Sequence, residues 1–261
     1  MTVRESIEER LRQIETEEDV CVVYACESGS RAWGFPSADS DHDVRFIYAH
    51  PTPWYLAINL ERKRDVIERP IEGGLDVSGW DLRKALWLLR KGNPPLIEWL
   101  GSPIVYWDRF GVADRMRDLR SRYYSPVRCL YHYLHMARGN YRDYLKGSTV
   151  WVKKYFYVLR PLLAIRWIER DLGVVPTEFQ VLIEGTVDAP ELREEIDALV
   201  DSKRRGEELD RGPRIASISE FIESELARLE EERFEYAFET RTASVVPYNR
   251  LFRAVLDDVW S

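Results

Sequence analysis

Strand-like runs fill the first third of the chain and helical periodicity fills the rest, and this order restricts the fold more than any single motif. Val20-Cys21-Val22-Val23-Tyr24-Ala25-Cys26 is a short apolar run rich in β-branched residues and reads as a buried strand. Asp43-Val44-Arg45-Phe46-Ile47-Tyr48 reads as a second strand, and residues 65–68 and 75–78 as two more across the turn signal Glu72-Gly73-Gly74. Val3, Ile7, Leu11 and Ile14 predict a helix over 3–17, whereas residues 27–40, rich in Gly, Ser and Pro, are loop-like with room for one helical turn. From Asp81 onward the texture is helical. Ser78 or Asp81 can cap a helix starting at Leu82, Gly92-Asn93-Pro94-Pro95 stops it, and a short helix covers 96–100. Longer helices are predicted over 108–121, 126–146 and 149–172, and shorter ones over 177–185 and 189–204. Ser217-Ile218-Ser219-Glu220 is a capping-box pattern opening an amphipathic helix that reaches Phe234. Strands followed by helices, without regular βαβ alternation, predict an α+β protein with a small mixed sheet first and a helical half after it.

At 261 residues the chain can bury a substantial core in one large or two small domains. The boundary falls between 105 and 125 without a linker to mark it, which divides the chain into 1–110 and 111–261. No apolar run reaches membrane-spanning length, so no membrane partner is expected. The charged N-terminus reads as an amphipathic helix, not a secretory signal. Cys21, Cys26 and Cys129 are odd in number and lack metal-ligand spacing, which points to a reducing compartment and a cytoplasmic location. A net charge of −7 argues against a general coat for nucleic acid. The charge is uneven, however. Between Arg122 and Arg170 only Asp143 and Glu169 oppose ten Lys and Arg residues, a local basic field suited to a phosphate-bearing ligand.

Asp41 and Asp43 stand two apart at a strand start, where period-two geometry would put both carboxylates on one face. Mg²⁺ favours such a pair, with substrate phosphates completing its shell. With two ions, one can lower the pKa of an attacking hydroxyl while the other steadies a leaving pyrophosphate. Upstream, Gly29-Ser30 follows a buried strand directly, so its backbone and hydroxyl can approach a phosphate. A lone Asp-x-Asp is ordinarily a turn or strand-start cap; its placement between two apolar strands, ten residues after Gly29-Ser30, favours the functional reading. In the helical half, Lys153, Lys154, Tyr157 and Arg160 fall at spacings that share one helical face, either a solvated surface or a phosphate-binding wall. Arg31 could touch phosphate from the Gly-Ser turn or pair with Glu27. His132 and His135, at i and i+3, have no nearby carboxylate or cysteine to complete a metal set and read as ordinary core or surface histidines.

Gly29-Ser30-Arg31-Ala32-Trp33-Gly34 followed by Ser40-Asp41-His42-Asp43 resembles the DNA polymerase beta nucleotidyltransferase superfamily. Asp81-Leu82-Arg83-Lys84-Ala85-Leu86, Lys91-Gly92-Asn93-Pro94, Glu98-Trp99-Leu100 and Lys153-Lys154-Tyr155, with Tyr157, Arg160 and Pro161, narrow the resemblance to its RlaP-type branch, associated with bacterial RNA repair. The resemblance covers residues 20 to 180. His42 departs from the pattern, since an apolar residue is common between the two aspartates. The resemblance implies a metal-dependent nucleotidyltransferase using Mg²⁺ or Mn²⁺, two ions in all. It would move a nucleoside monophosphate from a nucleoside triphosphate to a hydroxyl, favouring an RNA 3′ end. It also implies a third carboxylate on a later strand. Asp76, an acid between Leu75 and Val77, fits best, with Asp65 and Asp81 as rivals. The catalytic and metal set is then Asp41, Asp43 and Asp76; the nucleotide-binding set is Gly29, Ser30, Arg31, Ser40, Lys153, Lys154, Tyr157 and Arg160. A protein or small-molecule acceptor, repair-enzyme partners, or a non-catalytic nucleotide-binding module are the competing expectations.

Overall fold

The computed structural model describes residues 2–207, 209–231 and 244–261. The chain opens with α1 (Val3–Glu18), β1 (Cys21–Glu27), the short α2 (Gly29–Trp33) and β2 (His42–Ala49). Next come α3 (Thr52–Tyr55), β3 (Val66–Glu68), β4 (Leu75–Asp81), α4 (Leu82–Arg90), α5 (Pro94–Leu100), β5 (Val105–Asp108) and α6 (Val112–Tyr123). The later part holds α7 (Pro126–Tyr144), β6 (Thr149–Trp151), α8 (Tyr155–Glu169), α9 (Phe179–Thr186), α10 (Pro190–Arg204), β7 (Arg211–Pro213), α11 (Ala216–Glu231) and α12 (Val246–Trp260). Local signals account for most boundaries. Thr2 and Glu5 close a capping box on α1, Asp81 accepts from Arg83 N to start α4, and Asn93 with Pro94 starts α5.

Contacts divide the α+β chain into two compact units. The first comprises Met1–Ala32, Asp41–Tyr124 and Arg241–Ser261; the second comprises Trp33–Ser40 and Ser125–Thr240. The contacts therefore move the boundary from 110 to Tyr124/Ser125, return the C-terminal segment to the sheet-bearing unit and assign Trp33–Ser40 to the helical one. The physical reason is that α6 and α12 bury Val112, Met116, Leu251 and Val255 in the same core as sheet residues Tyr24 and Ile47.

The first unit is built on a five-stranded sheet of order β3-β4-β2-β1-β5. Only β2 and β4 run parallel; the remaining neighbours are antiparallel. Side chains alternate across the sheet. Val44, Phe46, Tyr48 and Val77 face α1, where Ile7, Leu11 and Ile14 cover them. Tyr24, Cys26, Ile47 and Ala49 face the cluster of α4, α5, α6 and α12. A register shift between Val22 and Tyr24 puts the consecutive residues Val23 and Tyr24 into the same core cluster. Gly79 of β4 leaves room for the Phe46 ring, which would lie 2.3 Å from an added Cβ.

In the second unit α7 packs along α8, and Phe35 of the Trp33–Ser40 segment stacks on Phe156 of α8 at 4.6 Å. Residues 149–151 form a strand paired with Arg211–Pro213, not the start of the helix predicted over 149–172; that helix begins at Tyr155. Strand β5, where no strand was predicted, pairs with β1 through Tyr24 and Asp108 and delays α6 to Val112. The helix predicted to reach Phe234 is described to Glu231, and Phe234 lies outside the described residues. Among the described residues no helix is long and apolar enough to cross a membrane.

Candidate active site

The parallel pairing of β2 with β4 puts Asp43 directly opposite Asp76. Both occupy the sheet face shared by Arg45 and Ile47, since they are odd-numbered on β2 and in register on β4. Arg45 joins them: one guanidinium nitrogen lies 3.1 Å from Asp43 Oδ1 and 2.8 Å from Asp76 Oδ2. Its other nitrogen donates to the carbonyls of Val44 and Asp76, which fixes its direction. Burial pushes the Asp43 carboxyl above the ordinary carboxylate range, and Asp76 and Glu27 push the same way against Arg45. Asp43 and Asp76 thus share the Arg45 guanidinium.

Such a pair fits a hard divalent ion, which takes one or two protein carboxylates and completes its shell with substrate oxygens. Among the described residues, no three His, Cys, Asp or Glu side chains come together to hold an ion. Of the expected set Asp41, Asp43 and Asp76, the strand register brings Asp43 and Asp76 side by side. Asp41 precedes β2, and its Oδ1 lies 3.6 Å from where a Cβ on Gly74 would stand, beside the turn between β3 and β4.

Gly29 meets two requirements at once. Its φ is +57°, and a Cβ there would stand 2.0 Å from Asp43 Oδ2. The first Gly-Ser residue therefore lies directly against the Asp43 carboxylate, with Ser30 following it in α2. Arg31 donates from Nε to the Asp41 carbonyl at 3.2 Å, which ties the turn to the start of β2.

Glu27, the last residue of β1, braces the opposite face. It is fully buried and accepts from the Asp43 backbone N–H at 2.6 Å and from the Tyr106 hydroxyl. His42 Nδ1 lies 3.0 Å from the same carboxylate. The atypical histidine thus has a place: it points away from Asp43 and closes a polar brace under the strand. Neither Glu27 nor Arg45 was singled out from the sequence for a role at the acids. The available signals were an acid ending an apolar strand and a cation two residues after Asp43.

The rivals for the third carboxylate take other roles. Asp65 is exposed and pairs with Lys84 at 2.8 Å. Asp81 caps α4 and accepts from the Tyr55 hydroxyl at 2.7 Å, and burial pushes its pKa up to about 6.

The second unit holds the other nucleotide-binding candidates. Lys153 and Lys154 lie in a 3₁₀ turn before α8, so the expected single helical face with Tyr157 and Arg160 does not form. Lys154 Nζ sits 4.6 Å from the Tyr144 ring and 4.5 Å from the Tyr157 ring. Arg160 is buried and donates to the carbonyls of Pro176 and Thr177. Ser40 Oγ accepts from Ser37 N and lies 2.9 Å from Ser37 Oγ, which in turn lies 2.7 Å from Lys203 Nζ. His132 and His135 are both exposed on α7.

The mixed sheet brings two carboxylates together across its parallel strands, against a glycine-bearing turn. The chain belongs to the RNA repair pathway DNA polymerase beta family, RlaP, whose model matches residues 3–254. This makes it a nucleotidyltransferase-like protein. It is 49% identical over 258 residues to the uncharacterized protein YcgL of Bacillus subtilis (strain 168), covering 99% of this chain and 98% of that one. Among solved structures it is similar to a nucleotidyltransferase-like protein from Exiguobacterium sibiricum 255-15, with 17% identity. The match covers 98% of this chain and 81% of that one at a TM-score of 0.31.

Proposed function

We propose that the chain moves a nucleoside monophosphate from a nucleoside triphosphate to the 3′ hydroxyl of an RNA. The acceptor hydroxyl gives up its proton to solvent, its oxygen forms a bond to the α-phosphorus, the α–β bridging bond breaks, and pyrophosphate leaves with that electron pair. The observation that carries this reading is the Asp43–Asp76 pair set against Gly29.

Asp43 and Asp76 would hold Mg²⁺ or Mn²⁺, and a second ion would draw on Asp41. Bound there, the metal supplies charge neutralisation and lowers the pKa of the acceptor hydroxyl. Glu27 fixes the strand start through the Asp43 N–H, so the carboxylate is positioned before substrate arrives. Gly29 keeps the turn open beside that carboxylate, and Ser30 and Arg31 offer donors to phosphate oxygens. Ser40, Lys153, Lys154 and Tyr157, all in the second unit, are proposed separately as nucleotide-binding residues. The thiols of Cys21, Cys26 and Cys129, none of them in a disulfide, suit a cytoplasmic site of action.

The test is transfer of label from α-³²P nucleoside triphosphates to a panel of RNAs with Mg²⁺, for the native chain and Asp43→Asn. Label on RNA that depends on Asp43 supports the proposal. Undiminished transfer by Asp43→Asn overturns the mechanism. Label appearing on protein in place of RNA replaces the acceptor by a protein partner.

A further inference from the structure

Arg45 is held at the acid pair by more than the acids. Its Nη2 lies 3.1 Å from Asp43 Oδ1 and 2.8 Å from Asp76 Oδ2. Its Nη1 donates to the carbonyls of Val44 and Asp76 at 3.1 and 2.9 Å. Those carbonyls belong to the backbones of the paired strands β2 and β4, so the sheet itself fixes the guanidinium, whose side chain is 18% exposed. A guanidinium keeps its charge at any working pH. Asp43 and Asp76 therefore carry a resident cation.

That cation bears directly on a divalent ion. Arg45 engages one oxygen of each acid, and Asp43 Oδ2 is the oxygen that faces Gly29. The two carboxylate side chains are 29% and 31% exposed, so an ion from solvent reaches them. An ion on their other oxygens, at Mg²⁺–oxygen distances, would stand on the order of 5 Å from the guanidinium. Repulsion between a unit and a double positive charge at that range lowers affinity at least ~10-fold even in a water-like dielectric. A triphosphate reverses the balance, because its oxygens enter the ion's shell and bring several negative charges to the same place.

We propose that Arg45 is a resident counter-ion that keeps the acid pair from holding a divalent ion strongly until the ion arrives with a triphosphate. It acts through Asp43 and Asp76 as a positioning residue, and the inference rests on reading those acids as metal ligands. The test is Mn²⁺ titration, followed by loss of the paramagnetic resonance signal of the free ion, with and without a non-hydrolysable ATP analogue. No turnover enters the readout. The chains compared are the native one, Arg45→Met, Arg45→Lys and Asp43→Asn, each checked for folding by thermal unfolding; Arg45→Gln is the second neutral variant should Arg45→Met not fold. Without nucleotide, the neutral variant should bind Mn²⁺ at least ~10-fold more tightly than the native chain. Arg45→Lys, which keeps the charge, should stay near native, and the gain in affinity on adding the analogue should shrink in the neutral variant. Neutral variants that bind Mn²⁺ as the native chain does, or more weakly, while Asp43→Asn abolishes binding, overturn the counter-ion and leave the metal ligands standing. Mn²⁺ binding that Asp43→Asn leaves unchanged overturns the metal ligands, and the counter-ion with them.

Discussion

Each unit contains a cluster of carboxylates and guanidinium groups, and the two are balanced differently. In the first, Asp43 and Asp76 share Arg45, with side chains 29%, 31% and 18% exposed. Two acids meet one base, and Asp43 is held above its ordinary pKa. In the second, Glu225, 5% exposed, lies between Arg166 at 2.7 Å and Arg228 at 2.9 Å, and Arg228 also binds Glu169 at 2.9 Å. Two acids meet two bases there. Burial raises the Glu225 carboxyl, but the hydrogen bonds from Arg166 and Arg228 win and hold it below the ordinary range. The same residue types therefore produce opposite results. A closed network ties helices together, whereas the open one leaves Asp43 and Asp76 sharing the Arg45 guanidinium.

The largest effect that could break this comparison is on turnover. Asp43→Asn or Asp76→Asn should lower nucleotide transfer on the order of 10³-fold, about 4 kcal/mol in barrier, while leaving stability unchanged or higher. Stability that collapses with turnover would make the pair scaffold, like its counterpart. Next, Glu225→Ala should cost about 3 kcal/mol in urea unfolding, because two guanidinium groups lose their buried partner. Transfer per folded molecule should be unaffected; its loss would erase the distinction between the clusters. A smaller change tests the turn. Gly29→Ala forces a Cβ onto Asp43 at positive φ, for about 2 kcal/mol of strain, and should reduce transfer more than stability.

Acidification sharpens the contrast with the smallest effect. Glu225 has a lowered folded pKa, so its contribution is present above the ordinary glutamate value of about 4.3 and is lost as pH falls through the folded value. Asp43 has a raised folded pKa, so its penalty exists at higher pH and disappears as pH falls below about 3.9. Hydrogen exchange from pH 6 to 3 should show α8 and α11 losing protection before β2 and β4, by about 1 kcal/mol. Equal loss in both units would show that neither cluster governs its surroundings.

Much of this organisation was legible in the residues themselves. The apolar runs that became β1 and β2, the turn at Glu72-Gly73-Gly74 and the helix spacing of Ile7, Leu11 and Ile14 all rest on neighbours within one or two turns of chain. The same holds for Asp81, whose cap is read three residues around it. Other elements depended on distant partners. Strand β6 exists because Thr149–Trp151 meets Arg211–Pro213, and β5 because Val105–Asp108 lies along β1. Helix α12 was not predicted, although Tyr248, Leu251 and Val255 carry a helical spacing; only its return to the sheet-bearing unit shows what that face covers.

The sequence alone determined the order of strands before helices, the Gly-Ser turn and the two aspartates at the head of a strand, because propensity and periodicity are local properties. Tertiary structure decided which acid joins Asp43, since the choice of Asp76 over Asp65 or Asp81 follows from parallel pairing across about thirty intervening residues. It also decided that Arg45 lies between the two acids, that Glu27 holds the Asp43 backbone from beneath and that Arg160 turns inward. Charge balance is a property of space, and no stretch of adjacent residues contains it.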